Sequence, residues 1–318
     1  MSSGSAARTL VVADGSGNKL GTMNAGTTAA TVSYNYSGSS GYVYLYSSNS
    51  GINIYKIQVD SSASSGSGSS SSGSSTTDTS NGTVVTSFSE LTAAVTKAEK
   101  AGGGIVYVKG SSISCTAQLA LKASNANVSI IGVKNSDGTY PVLDFSAFRS
   151  AYIGKATTDS EVGIRISGSK YTIKNLIIQK APDNGIQIKG SSAGNNTIEN
   201  CIVRYNNDAG VQITGGAYSN TMRFVYSYRN CDVYTLGGNA DGFAPKLGAG
   251  KGNVFYGCYS WENSDDGWDS YDKDSLTYNL TYTNCACWNN GDPTIFTGEY
   301  DYNNGNALDT DLLLVELI

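Results

Sequence analysis

The chain has 318 residues and a formal charge of −5, so its charge gives no footprint for nucleic acid. It holds 38 glycines and 22 tyrosines but only 4 prolines, a mixture that favours turn-rich β structure over helix bundles. Histidine is absent. That excludes Ser-His-Asp and Cys-His catalysis and HExxH zinc sites, and leaves carboxylates, lysine, tyrosine or a metal-bound water for proton transfer near neutral pH.

The opening "MSSGSAARTLVVADG" lacks the charged and apolar zones of a signal peptide. No run of about 18 apolar residues follows that could span a membrane. Residues 1–60 form a β-rich accessory segment in which "TLVVAD", "ATVSYNYS", "GYVYLYSS" and "INIYKIQVD" alternate like antiparallel strands. Residues 61–82, "SSASSGSGSSSSGSSTTDTSNG", read as a flexible linker by composition.

Beyond the linker, "SFSELTAAVTKAEKAGGG" predicts one amphipathic helix. Ser87 and Glu90 fit a capping box, Phe88, Leu91, Ala94, Val95 and Ala98 share a face, and Gly102 ends the run. The strand "GIVYVKG" follows.

From about residue 164 the chain repeats loosely. "IKNLIIQKAPDNGIQIKG" aligns with "IENCIVRYNNDAGVQITG", matching Asn175 to Asn200 and Gly185 to Gly210, each 25 residues apart. An apolar column runs through Leu176, Cys201, Val225, Cys258 and Cys285 at steps of 25, 24, 33 and 27; the long step fits one coil with an enlarged loop, "CDVYTLGGNADG". Several short strands and glycine turns per unit predict an all-β solenoid, a parallel β-helix over residues 83–318 capped by the helix before it. The six cysteines contain no CxxC pair and read as small buried thiols. Asn200, Asn230, Asn263 and Asn284 read as corner asparagines of an internal ladder.

Coil stacking gives the acidic stretch "ENSDDGWDSYDKD" a neighbour. Asp241, in "NADGF", lies 24 residues before Asp265, in "SDDGW", and the two are expected one strand spacing apart, with Asp266 and Asp269 nearby. A lone Asp-Gly is ordinarily a solvated turn. Four aspartates in coil register instead require a cation, and an all-oxygen donor set suits Ca²⁺ most readily; Mg²⁺ usually takes fewer protein ligands. No EF-hand loop is present. Trp268, beside the cluster, and Lys246, one turn from Asp241, are candidates for contact with a substrate.

With "NADGFAPK" and "GKGNVFYGCYSWENSDDGWD" set on such coils, the chain resembles the pectate lyases of polysaccharide lyase family 9 over roughly residues 83–306. The resemblance implies a right-handed parallel β-helix, a secreted monomer that cleaves polygalacturonate (pectin) by β-elimination, and a catalytic Ca²⁺ on Asp241, Asp265, Asp266 and Asp269. It also implies a lysine base in a later coil, in a stretch like "GNGFK"; here the chain reads "YNNGNALDTDLLLVELI", with no lysine after Asn306. The expectation is therefore a chain cut at both ends and lacking its base. Lys273 lies between Asp272 and Asp274, which should raise its pKa, the wrong direction for a base. The alternative is a non-catalytic β-helix that binds pectin or a cell surface through calcium. A polygalacturonase-type hydrolase shares the fold, but that family's pattern includes a histidine.

Overall fold

The computed structural model describes residues 2–3, 7–14, 18–35, 43–47, 52–53, 77–152, 155–232, 234–235, 237–271 and 280–291. It divides into two compact units, Met1–Ser72 and Gly73–Ile318, within the Ser/Gly stretch.

In the first unit, Arg8–Asp14 is flanked antiparallel by Lys19–Ala25 and Val43–Ser47. The expected strand at "ATVSYNYS" is corrected: residues 30–35 carry no regular structure, and Lys19–Ala25 takes the place beside Arg8–Asp14. Tyr34 instead lies over Gly21, where an added Cβ would meet the phenol ring at 2.4 Å. Of "INIYKIQVD", Ile52–Asn53 is a strand and residues 54–60 lie outside the described residues.

The second unit is a parallel β-helix. Among the described residues its three sheets have eight, seven and five strands, and in each the strands follow in chain order, one per coil. The first sheet runs from Thr83–Val85 to Thr281–Thr283, the second from Ser112–Ser114 to Ala286–Trp288, and the third from Leu119–Leu121 to Phe243–Pro245. Side chains alternate in and out along each strand, so one inward position per strand builds an apolar column. In the first sheet that column is Ile173, Ile198, Met222 and Phe255, all buried. Burying each such side chain contributes roughly 1.5–3 kcal/mol.

The helix Phe88–Lys100 covers the first coils. Ser87 Oγ accepts from the Glu90 amide (3.3 Å), while Glu90 reaches one residue past the usual capping-box partner to accept from the Thr86 amide (2.7 Å). Leu91, Ala94, Val95 and Ala98 are buried with Val85, Val106 and Val128 of the coils beneath. Residues 77–82, assigned to the linker by composition, belong structurally with the β-helix: Tyr107 Oη donates to Asn81 Oδ1 (2.7 Å).

The corners show how the repeat is held. Asn206, Asn230, Asn263 and Asn290 form a ladder, the first three buried; each amide Nδ2 donates to the next Oδ1 at 2.8–2.9 Å, as does each backbone N–H at 3.1 Å. A second ladder joins Asn196, Asn220 and Asn253. Asn230 and Asn263 belong to this ladder; Asn200, whose Nδ2 donates to Asn175 Oδ1 in the coil before (3.4 Å), and Asn284 stand at another corner. They turn the chain between the first and second sheets with φ of 51° and 54°, the left-handed conformation that asparagine tolerates better than most residues. The enlarged loop lies where expected: Gly210 follows closely on Asn206, whereas eight further residues separate Asn230 from its counterpart, Gly242. All six cysteines are free, with Cys115, Cys201, Cys231 and Cys258 buried.

Candidate metal centre

The site lies at the corner that enters the third sheet. Val211 pairs with Phe243, and Phe243 bridges to Trp268 in the next coil. This register sets Gly210, Gly242 and Gly267 in one column. It corrects the sequence alignment by one residue: Asp241 stands beside Asp266, not Asp265. The Gly242 amide donates to the Asp266 carbonyl (2.8 Å), and the Phe243 amide to that of Gly267 (3.1 Å). Gly242 is required here, because an added Cβ would meet Ser260 Oγ at 1.7 Å.

Asp241, Asp265 and Asp266 each offer a carboxylate oxygen, and these oxygens lie within 4.8 Å of one another. Asp241 is fully buried; its Oδ1 accepts from the Asp266 amide (3.3 Å). Asp265 Oδ2 accepts from the Asn239 amide (2.7 Å). Burial pushes the Asp241 carboxyl well above the usual carboxylate range; the nearby Lys246 ammonium opposes this, while Asp269 and Asp265 add to it.

Asp269, the fourth expected ligand, does not join the three-carboxylate group. Its Oδ1 accepts from the Tyr271 amide (2.7 Å), and its Oδ2 lies 2.6 Å from Lys246 Nζ. The same Nζ is 2.8 Å from Asp241 Oδ2. Lys246 is only 7% exposed and engaged by two protein carboxylates, so the expected contact with a substrate carboxylate is corrected to an internal ion bridge. Burial disfavours the charge of Lys246, but the two aspartates outweigh it and hold the ammonium above its ordinary pKa.

The expectation that Trp268 meets substrate is likewise corrected. Its ring stacks on Phe243 at 4.2 Å and 16°, and meets Phe255 and Tyr282 edge-on, each at 5.1 Å. It is a partly buried wall of the core. The one-residue register change explains this, since it moves Trp268 from an outward to an inward position.

Sequence reasoning missed a row of acids running away from the site. The strand register places Asp183 beside Asp208, and Asp208 beside Ala240, whose next-coil counterpart is Asp265. Burial, then mutual repulsion, raises the Asp208 carboxyl well above the usual range, and burial raises Asp183 as well. The aligned "PDNG" and "NDAG" carried this signal. Lys273, Asp272, Asp274 and the region beyond Asn306 lie outside the described residues.

Stacked coils and a cluster of oxygen donors without nitrogen or sulfur define a parallel β-helix protein with a site suited to a hard cation. The family model for the Pel9A-like right-handed β-helix region matches residues 72–308, and the chain belongs to that family. It is similar to pectate lyase L of Paenibacillus polymyxa (strain SC2), 32% identical over 192 residues, covering 58% of this chain and 40% of that protein. It is also similar to pectate lyase L of Dickeya chrysanthemi, 31% identical over 132 residues, covering 42% of this chain and 29% of that one. Among solved structures, pectate lyase Pel9A matches with a TM-score of 0.51 and 28% identity, covering 64% of this chain and 49% of that one. The chain thus spans less than half the length of each.

Proposed function

We propose that this chain is the β-helix of a calcium-dependent lyase that cleaves polygalacturonate by β-elimination. The observation that carries the reading is the convergence of Asp241, Asp265 and Asp266 from adjacent coils, in a chain of this family. The donor set fits Ca²⁺: several carboxylate oxygens on a frame fixed by backbone hydrogen bonds.

Calcium, when bound, would offset the repulsion between an acidic protein and an acidic polymer, and would acidify the C5 proton of a bound uronate. The chain's own residues prepare for this. Asp241, Asp265 and Asp266 would hold the ion, with Asp265 oriented by the Asn239 amide and Asp241 by that of Asp266. Tyr271 N orients Asp269 beside them. Lys246 keeps its proton on Nζ between two carboxylates and does not serve as the base. The position where the family resemblance puts the base lies beyond Asn306. Loss of the C5 proton and cleavage of the C4–O bond would leave an unsaturated sugar on the new non-reducing end.

Such a polymer is met outside the cell, so the proposed site of action is extracellular, as a monomer. Among the described residues no helix is long and apolar enough to cross a membrane.

The test is the appearance of 4,5-unsaturated oligogalacturonides, followed by ultraviolet absorbance with calcium and with chelator, on this chain and on a version extended through a "GNGFK"-like coil. Calcium-dependent product from the extended version is expected. Calcium-dependent retention of polygalacturonate without product would favour the binding protein, and neither would overturn both.

A further inference from the structure

The candidate metal centre already contains a cation of the protein's own. Lys246 Nζ sits 2.8 Å from Asp241 Oδ2 and 2.6 Å from Asp269 Oδ2. Its place is set by the backbone on both sides. The Lys246 amide donates to the Ile213 carbonyl (3.1 Å), and the Leu247 amide to that of Tyr271 (2.9 Å). Asp269 is fixed as well: its amide donates to the Phe243 carbonyl (2.9 Å), and its Oδ1 accepts from Tyr271 N. The bridge therefore joins two rigid coils, and Asp241, its buried end, has no access to solvent.

A buried carboxylate without a counter-charge is strongly unfavourable, so a positive group at this point stabilises the calcium-free chain. The same group carries a cost for binding. Asp241 belongs to the three-carboxylate group, and its Oδ2 is already held by the lysine. A divalent ion placed on that group shares Asp241 with an ammonium and meets its repulsion at close range.

We propose that Lys246 is the resident counter-ion of the metal centre. It holds Asp241 and Asp269 together when no metal is bound, and it competes with an incoming divalent ion for Asp241. Lys246 is then a positioning residue that lowers calcium affinity in exchange for a pre-formed site. The proposal rests on the calcium reading above and deepens it.

A purely structural role predicts the opposite sign, since loosening the site would weaken binding. The test is calcium titration by calorimetry, with calcium-free melting, on the chain and on Lys246→Met; Lys246→Gln serves if the methionine variant does not fold. Expected are a lower calcium-free melting temperature and a calcium affinity at least about tenfold tighter than that of the unsubstituted chain. Lys246→Arg keeps the charge and should stay near the original affinity. If the unsubstituted chain binds calcium and the variant binds equally or more weakly, the proposal is overturned and the calcium reading stands. Binding by the variant alone would support it in its strongest form. If neither chain binds calcium, both fail.

Discussion

Asp241 and Asp266 stand side by side in adjacent coils, joined through the backbone: the Gly242 amide donates to the Asp266 carbonyl, and the Asp266 amide to Asp241 Oδ1. The spacing of the two residues' backbones is thereby a property of coil stacking, and Asp241 Oδ1 is held against the backbone of Asp266.

Neutralising one ligand should weaken binding without unfolding the coil. Asp265→Asn and Asp266→Asn each remove one charge from the cluster and leave the backbone bonds in place. Calcium affinity is expected to fall about tenfold or more for each, read by calorimetry, with little change in calcium-free melting. Unchanged affinity in both would remove them from the site.

The acid row gives a pH dependence. Asp208 has its pKa raised in the folded chain, chiefly by burial. A raised carboxyl binds its proton more tightly folded than unfolded, so its stabilising contribution is complete below the unfolded value. It is lost as pH rises from there through the folded value. Asp208→Asn keeps an oxygen that can accept from the Ala209 amide and has no charge to bury. The variant should melt about 2–4 °C higher at neutral pH and match the original chain below about pH 4. Equal melting across the whole range would count against a strained carboxylate at this position.

The asparagine ladder is a column of buried polar groups in which each member completes its neighbours. Asn230→Ala removes the acceptor for both the backbone amide and Nδ2 of Asn206, and the donor to Asn263. A loss of about 2–4 kcal/mol in denaturant unfolding is expected. Asn200→Ala, at a left-handed corner outside the ladder, should cost less, about 1 kcal/mol.

Gly242→Ala should fail to build the site's corner, because its Cβ would overlap Ser260 Oγ. The double variant with Ser260→Gly removes the closest clash while Asn263 Nδ2, 2.9 Å from the added Cβ, remains. Partial recovery of soluble, folded protein by circular dichroism is the expected result; no recovery would show that the Ser260 contact is not what requires glycine.

The repeat was legible because a solenoid sets equivalent positions on top of one another. Asn175 with Asn200 and Gly185 with Gly210 needed only counting, and the strand pairs Thr172 with Thr197 and Ile186 with Val211 follow the same step. The capping helix was legible for a similar reason, its apolar face and its Ser87 cap being local. At the site the count slipped by one. Matching Asp241 to Asp265 turned Trp268 outward, whereas aligning Gly242 with Gly267 turns it into the core, since side chains alternate along a strand. The two kinds of corner asparagine also looked alike in sequence; backbone φ separates Asn200 from Asn230.

By itself, then, the sequence determined the coil, its period, its cap and which aspartates share one stretch of the repeat, because these follow from local patterning and fixed strand spacing. Only the tertiary structure decided that Lys246 closes on Asp241 and Asp269 and that Trp268 faces inward. A long side chain finds its partner through the space and charge that three separate segments leave around it, and no pattern within one segment encodes that.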